Sequence, residues 1–278
     1  MRLGAECDFA NLSDPGLKRS NNEDSAVTDA ELGLALVADG MGGYKAGEVA
    51  SAIAAKVVLD DLRSALQRHQ FRRAGESAAE SREVAALRAA VENANRQIFD
   101  TARKVPQCRG MGTTIVAALF SPSRVVLAHV GDSRIYRLRE GQLEQVTNDH
   151  SLVQELIDKG LYSQEEAEAN TPRNLVTRAL GIEDAVEVEM RELATTPEDV
   201  FLLCSDGLTD MVSDVDIRST LTRHGNQLQR AARELVDRAN AGGGKDNVSV
   251  VLVRPSAPQN GGLMSRLQAL WTRSGARD

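Results

Sequence analysis

Aromatic side chains make up only 3% of these 278 residues, so any core must be packed mainly from Leu, Val, Ile and Ala. Cysteine is sparser still. Cys7, Cys108 and Cys204 are odd in number and far apart, with no CxxC pair and no histidine at zinc-ligand spacing, which excludes a disulfide framework and a structural zinc. No apolar run approaches the roughly 18 residues of a membrane span. The N-terminal stretch places Glu6, Asp8 and Asp14 where a signal peptide needs an apolar core. These absences predict a cytoplasmic chain without an integral membrane segment. Basic residues are also in deficit, 33 against 40 acidic, for a formal net charge of -7. A negative field repels polyanions and anionic lipid, so nucleic acid is excluded as a default partner.

What is present is ordinary for a globular chain, 42% hydrophobic and 26% charged. Short apolar runs predict buried strands over 32–38, 113–120, 125–130, 200–204 and 248–253. Helical spacing of apolar residues predicts helices over 48–66, around Val84, Leu87, Val91 and Ile98, and over 228–240. Two of those helices occur together between strands, and the strands from Thr113 to Gln145 follow one another through short turns such as Glu140-Gly141. That is not βαβ alternation, so an α+β fold of antiparallel sheets with helices packed outside is expected. Residues 72–81 read as a helix-helix loop and 255–262 (PSAPQNGG) as a linker out of the domain.

Four aspartates share a local grammar in which an apolar strand abuts an Asp with a glycine next to it or within two residues: Asp39 in LVADGMGG, Asp132 in AHVGDSR, Asp206 in LLCSDGL and Asp246 in GGGKDNVSVVLV. A single Asp-Gly is chiefly a turn signal. Four of them at the ends of buried strands point to a shared site, because carboxylates brought together repel unless protons or cations intervene, and hard oxygen donors suit magnesium or manganese. Glycine without a Cβ lets backbone approach an ion closely. In LKRSNNEDS, Arg19 precedes Glu23 and Asp24 in a stretch too polar for a core strand. Beside a carboxylate–metal cluster it reads as a guanidinium fork for phosphate.

The ordered set RSNNED, VADGMGG, GMGTT, VGDSRIY, LLCSDGLTD and GGKDNVSVVLV resembles the type 2C metal-dependent protein serine/threonine phosphatases in their compact bacterial form. The resemblance implies a four-layer α-β-β-α sandwich of two antiparallel sheets flanked by helices, with a small flap. It implies hydrolysis of phosphoserine and phosphothreonine esters by a water activated at a dinuclear manganese or magnesium centre, with a weaker third ion. By matching motifs, Asp39 would bridge two ions, the Gly40 carbonyl would bind one, Asp206 and Asp246 the other, and Asp132 the third. Glu23 and Asp24 would orient waters around the ions, Arg19 would hold the substrate phosphate, and Asn247 follows Asp246 as the pattern expects. The implied partners are phosphoprotein substrates and an opposing Ser/Thr kinase, with the chain a monomer. The alternatives are a non-catalytic relative that binds phosphoproteins and a metal-dependent phosphatase of small phosphate esters.

No side chain is expected to act as nucleophile, since neither Cys108 nor Cys204 opens a Cys-x5-Arg motif. Many eukaryotic members carry a histidine after the Asp-Gly pair, where this chain has Met41. His150, in TNDHSL, matches a histidine of the family pattern and has either a structural or a proton-transfer role. The resemblance makes 1–254 the phosphatase domain, with a flap at about 147–181. Residues 255–278 are expected to be a linker and an amphipathic tail, from the helical spacing of Leu263, Leu267, Leu270 and Trp271.

Overall fold

The computed structural model describes residues 6–43, 46–67, 81–172 and 175–256. Two antiparallel sheets lie face to face. The first contains β1 (Cys7–Asp14), β7 (Arg134–Arg139), β8 (Gln142–Gln145), β10 (Val200–Cys204) and β11 (Val248–Pro255), in the order β1-β11-β10-β7-β8. The second contains β2 (Asp24–Asp29), β3 (Leu34–Met41), β5 (Ile115–Ser121), β6 (Arg124–Val130) and β9 (Glu189–Ala194), in the order β2-β3-β5-β6-β9. The two-residue β4 (Gly112–Thr113) pairs onto the end of β3.

Three apolar layers hold this arrangement. Between the sheets, Ala35, Val37, Val116, Phe120, Phe201, Val251 and Val253 interdigitate, and Phe120 meets Phe201 edge to face with centroids 5.3 Å apart. The outer face of the second sheet is covered by α1 (Ala46–Gln67) and α2 (Arg82–Lys104) through Leu36, Val58, Leu62, Leu87 and Val91. Helices α5 (Asp206–Thr209), α6 (Asp214–His224) and α7 (Leu228–Ala241) cover the first sheet through Leu202, Ile217, Leu221, Leu235 and Val250. The result is the expected four-layer sandwich, packed almost wholly with aliphatic groups at the close density such interiors require.

The expected central strands and long helices are found within a few residues of their predicted limits. The segment from Thr113 divides: Gly112–Thr113 pairs with Gly40 and Met41, while Ile115 onward pairs with the body of β3. Pro255, expected to begin a linker, instead ends β11 opposite Cys7, where a strand terminus tolerates a residue without an N–H. Two short helices, α3 (Leu152–Asp158) and α4 (Gln164–Asn170), occupy the flap segment, each capped by a serine hydroxyl. The amphipathic tail and most of the 72–81 loop lie outside the described residues.

Candidate active site

The sheet stacking brings distant strand ends to one edge of the sandwich. Asp24 opens β2 directly opposite Asp39 on β3. Asp132 sits in the turn between β6 and β7, Asp206 follows β10, and Asp246 precedes β11. Glu23, Asp39, Asp132, Asp206 and Asp246 line a cleft of about 220 Å³ together with Arg19, Gly40, Met41, Thr114 and Asn247. Asp24 lies against this group, with its carboxyl held by the Ser205 hydroxyl at 2.8 Å. The residues singled out in the sequence are thus brought together.

So many acids in one low-dielectric place cannot all stay ionised unaided. Burial, then repulsion from Asp132, Asp210 and Asp246, pushes the Asp206 carboxyl up to about 8. Burial and the charges of Asp24, Asp206 and Asp132 hold Asp39 well above the ordinary carboxylate range. Asp132 rises to about 6 through burial and Asp149, and Asp24 to about 6 through burial, despite hydrogen bonds from Ser249 and Ser205. Asp24 Oδ1 and Asp206 Oδ1 are buried without a hydrogen-bond partner. Unpartnered buried carboxylate oxygens are costly. The cleft lining offers oxygen donors and no histidine or cysteine, a set that fits hard divalent cations.

Neighbouring groups fix these carboxylates. The Asp39 N–H donates to Thr114 Oγ1 at 3.1 Å, and its carbonyl accepts from the Thr114 N–H at 2.9 Å and the Thr113 hydroxyl at 2.8 Å. Thr114 also bonds Ser133, beside Asp132. The GMGTT motif is visible in the sequence, but this clamp is not. At Gly40 the reason for glycine differs from the one expected. The Cβ position faces the backbone of Gly47 and Glu23, so a methyl there would collide with chain rather than crowd an ion.

Arg19 does not pair with its sequence neighbours. It donates to Asp246 Oδ2 at 2.7 Å, and this hydrogen bond raises its pKa further. Its position is set by Asn247, which is buried. The Asn247 amide donates to the carbonyls of Pro15 and Asn21, and its oxygen accepts from the Glu23 N–H. The residue after Asp246 therefore staples the loop carrying Arg19 over the acidic cluster.

His150 does not line the cleft. Its Nδ1 accepts from the Gly131 N–H at 3.1 Å, while His129 Nε2 donates to the Gly131 carbonyl at 2.8 Å, and the two rings stack with centroids 4.5 Å apart. Burial, then His129 and Arg178, lowers the His150 pKa to about 4. A neutral histidine with Nδ1 occupied has its proton on Nε2, facing Glu189 at 3.4 Å. Of the two roles open to His150, this geometry fits the structural one. The pair brackets the peptide immediately before Asp132, with Gly131 at φ 112° packed against Thr114.

Fold and site together define a class: a four-layer α-β-β-α sandwich with a hard-cation cleft at one sheet edge. Within that class the chain belongs to the protein phosphatase 2C family, whose model matches residues 18–241. It is 44% identical over 247 residues to the serine/threonine protein phosphatase PstP of Mycobacterium tuberculosis, an alignment covering 88% of this chain and 44% of PstP. The chain therefore spans less than half the length of that relative. The serine/threonine phosphatase stp of Listeria monocytogenes is 38% identical over 253 residues, covering 90% of this chain and 96% of the relative. A solved structure of the PstP catalytic domain in complex with two manganese ions superposes with a TM-score of 0.76 at 39% identity, covering 89% of this chain and 97% of that one.

Proposed function

We propose that the chain is a metal-dependent phosphatase that hydrolyses phosphoserine and phosphothreonine esters of proteins, reversing the action of a Ser/Thr kinase. The observation that carries this reading is the convergence of five acidic side chains under one arginine, with two buried carboxylate oxygens nearby unpartnered. The names of the related phosphatases support it, and the manganese pair in the PstP structure supports a dinuclear centre. Asp39, the Gly40 carbonyl, Asp206 and Asp246 are the groups assigned to two manganese or magnesium ions, and Asp132 to a weaker third. Such ions supply charge to offset a bound phosphate and lower the pKa of an attacking water.

The chain's own residues do the rest. Arg19 binds phosphate with its guanidinium fork, exchanging the Asp246 carboxylate for a phosphoryl oxygen. Asn247 orients the loop that carries it. Glu23 and Asp24 orient water around the ions. The thiols take no part: Cys204 is fully buried and pushed up to about 12 by burial, and Cys108 is buried away from the cleft. The flap at 147–181 contributes Val176 to the cleft wall and is assigned a role in controlling access.

Turnover of an aryl phosphate, of phosphothreonine and phosphoserine peptides and of phosphosugars, with manganese, with magnesium and after chelation, tests the proposal. It expects metal-dependent turnover of the peptides that stops on chelation. Absence of any such turnover would favour a non-catalytic phosphoprotein binder, and preference for phosphosugars would favour a small-molecule phosphatase.

A further inference from the structure

Beside the cleft lies a second depression of about 440 Å³, lined by Phe99, Ala102, Pro106 and Ile182 and by the side chains of Arg103 and Arg109. It forms where α2 ends and a short turn at Pro106–Cys108 leads into β4. Its surface brings exposed aliphatic side chains and two guanidinium groups together in one place. Ile182 is 51% exposed and neighbouring Val105 38%. Arg103 and Arg109 have no ion-pair partner among the described residues, in a chain of net charge -7 where Arg63, Arg124, Arg134, Arg139 and Arg238 each hold a carboxylate. Among the described residues, Arg103 contacts the ring of Phe99, 5.6 Å away. The acids nearest in sequence do not neutralise the depression, since Asp100 holds Lys104 and neither Glu183 nor Asp184 lines it.

The depression and the catalytic cleft share one wall. The side-chain direction of Gly42, on the cleft, meets Met111 Cα at 3.4 Å, and that of Gly181, in the depression, meets the Met111 carbonyl at 3.2 Å. The same relation appears in the backbone ladder, where β4 pairs with Gly40 and Met41 on one side and Thr113 bridges Leu180 on the other. Two antiparallel spacings of about 4.8 Å separate the Gly40–Met41 backbone on the cleft from the Leu180 backbone beside the depression, a distance that roughly three residues of extended chain cover.

We propose that this groove is a subsite for the substrate chain beside the phosphorylated residue, taking an acidic side chain between Arg103 and Arg109 and an aliphatic one against Phe99 and Ile182. The inference rests on the protein phosphatase reading above. It names the class of phosphoprotein preferred: one with a Glu or Asp and a neighbouring aliphatic residue about three positions from the phosphoresidue. Unpaired surface guanidinium groups at the rim select partners by charge, while the exposed apolar floor gains from being covered.

The test compares wild type with Arg103→Glu, Arg109→Glu and the double variant on three substrates in manganese: an aryl phosphate, phosphothreonine peptides carrying Glu-Leu three positions to either side, and the same peptides with Lys-Leu. Wild type is expected to favour the Glu-Leu peptide on one side. The double variant should lose about tenfold in kcat/KM on that peptide, chiefly through KM, with aryl phosphate turnover unchanged. Equal losses on aryl phosphate and peptide, or an unchanged preference for Glu-Leu, would overturn the subsite. If wild type hydrolyses no phosphopeptide, the proposed function fails instead. The groove is then judged by fluorescence anisotropy with a labelled, unphosphorylated Glu-Leu peptide: binding lost in the double variant supports it, and binding that is absent or unaffected refutes it.

Discussion

Asp199 and Asp206 stand at opposite ends of β10, and their surroundings are opposite too. Asp199 is fully buried, yet Arg139 grips both its oxygens, at 2.6 and 2.7 Å, and the Thr196 N–H adds a third bond. Burial alone would raise its pKa; these partners outweigh burial and lower it. Asp206 has other aspartates for neighbours, an oxygen with no partner and a pKa raised to about 8. One strand thus carries a carboxylate whose charge the protein itself satisfies and another whose charge it leaves for something else. A buried acid says little by itself about function; the sign of what surrounds it separates a structural ion pair from a cation site.

Exchanging the charge at each end should produce opposite defects. Asp206→Asn, or Asp39→Asn, is expected to lower kcat on an aryl phosphate by about a thousandfold or more, because a charge facing the bound cations disappears, while the metal-free fold stays intact. Asp199→Asn should leave kcat within a few-fold of wild type but cost about 3 kcal/mol in denaturant unfolding, since Arg139 loses its partner. Unfolding and activity assays on both variants would break the comparison if the two defects coincided.

The pH dependence of stability sharpens it. A carboxyl whose folded pKa is raised binds its proton more tightly in the native state, so its contribution is present at low pH and fades as pH rises from the unfolded value toward the folded one. For Asp24, Asp132 and Asp206 that window runs from the ordinary value of 3.8 up to about 6, 6 and 8 respectively. Chelated protein should therefore lose several kcal/mol between pH 5 and pH 8, and manganese should flatten that slope. A metal-free protein equally stable at both pH values would contradict the crowding of charge. Asn247→Ala removes three hydrogen bonds from the loop over the cluster, two to Pro15 and Asn21 carbonyls and one from Glu23, and should cost about 2 kcal/mol. Arg19→Ala, the smallest effect, should raise KM about tenfold and lower kcat less if the phosphate contact is equally strong in ground and transition states, and steady-state kinetics will show the split.

Which strands were legible follows largely from their place in the sheets; the exception is β7, which is interior yet alternates polar and apolar residues as RIYRLR and forms no apolar run. β3, β5, β6, β10 and β11 are interior strands covered on both faces, and each reads as an apolar run. β1, β2, β8 and β9 are the four sheet edges, and their sequences CDFANLSD, DSAVTD, QLEQ and EMRELA are polar enough to pass for loops. An edge strand gains part of its support from a single neighbour and is kept polar against further pairing. At the site, the Asp-Gly grammar marked the carboxylates because strand ends need turn residues. The Arg19–Asp246 pair and the Asn247 staple join residues far apart in the chain and leave no local pattern. The histidine bracket around Gly131 is likewise a tertiary arrangement that neither His129 nor His150 announces alone.

Calorimetric titration of chelated protein with manganese, for wild type and Asp39→Asn, bears most directly on the acidic cleft as a cation site. Wild type should bind two ions saturably, with proton release as the raised carboxyls ionise, and Asp39→Asn should lose that binding while remaining folded by circular dichroism. Wild-type protein that takes up no manganese, or a variant that binds it as well as wild type, would contradict the assignment.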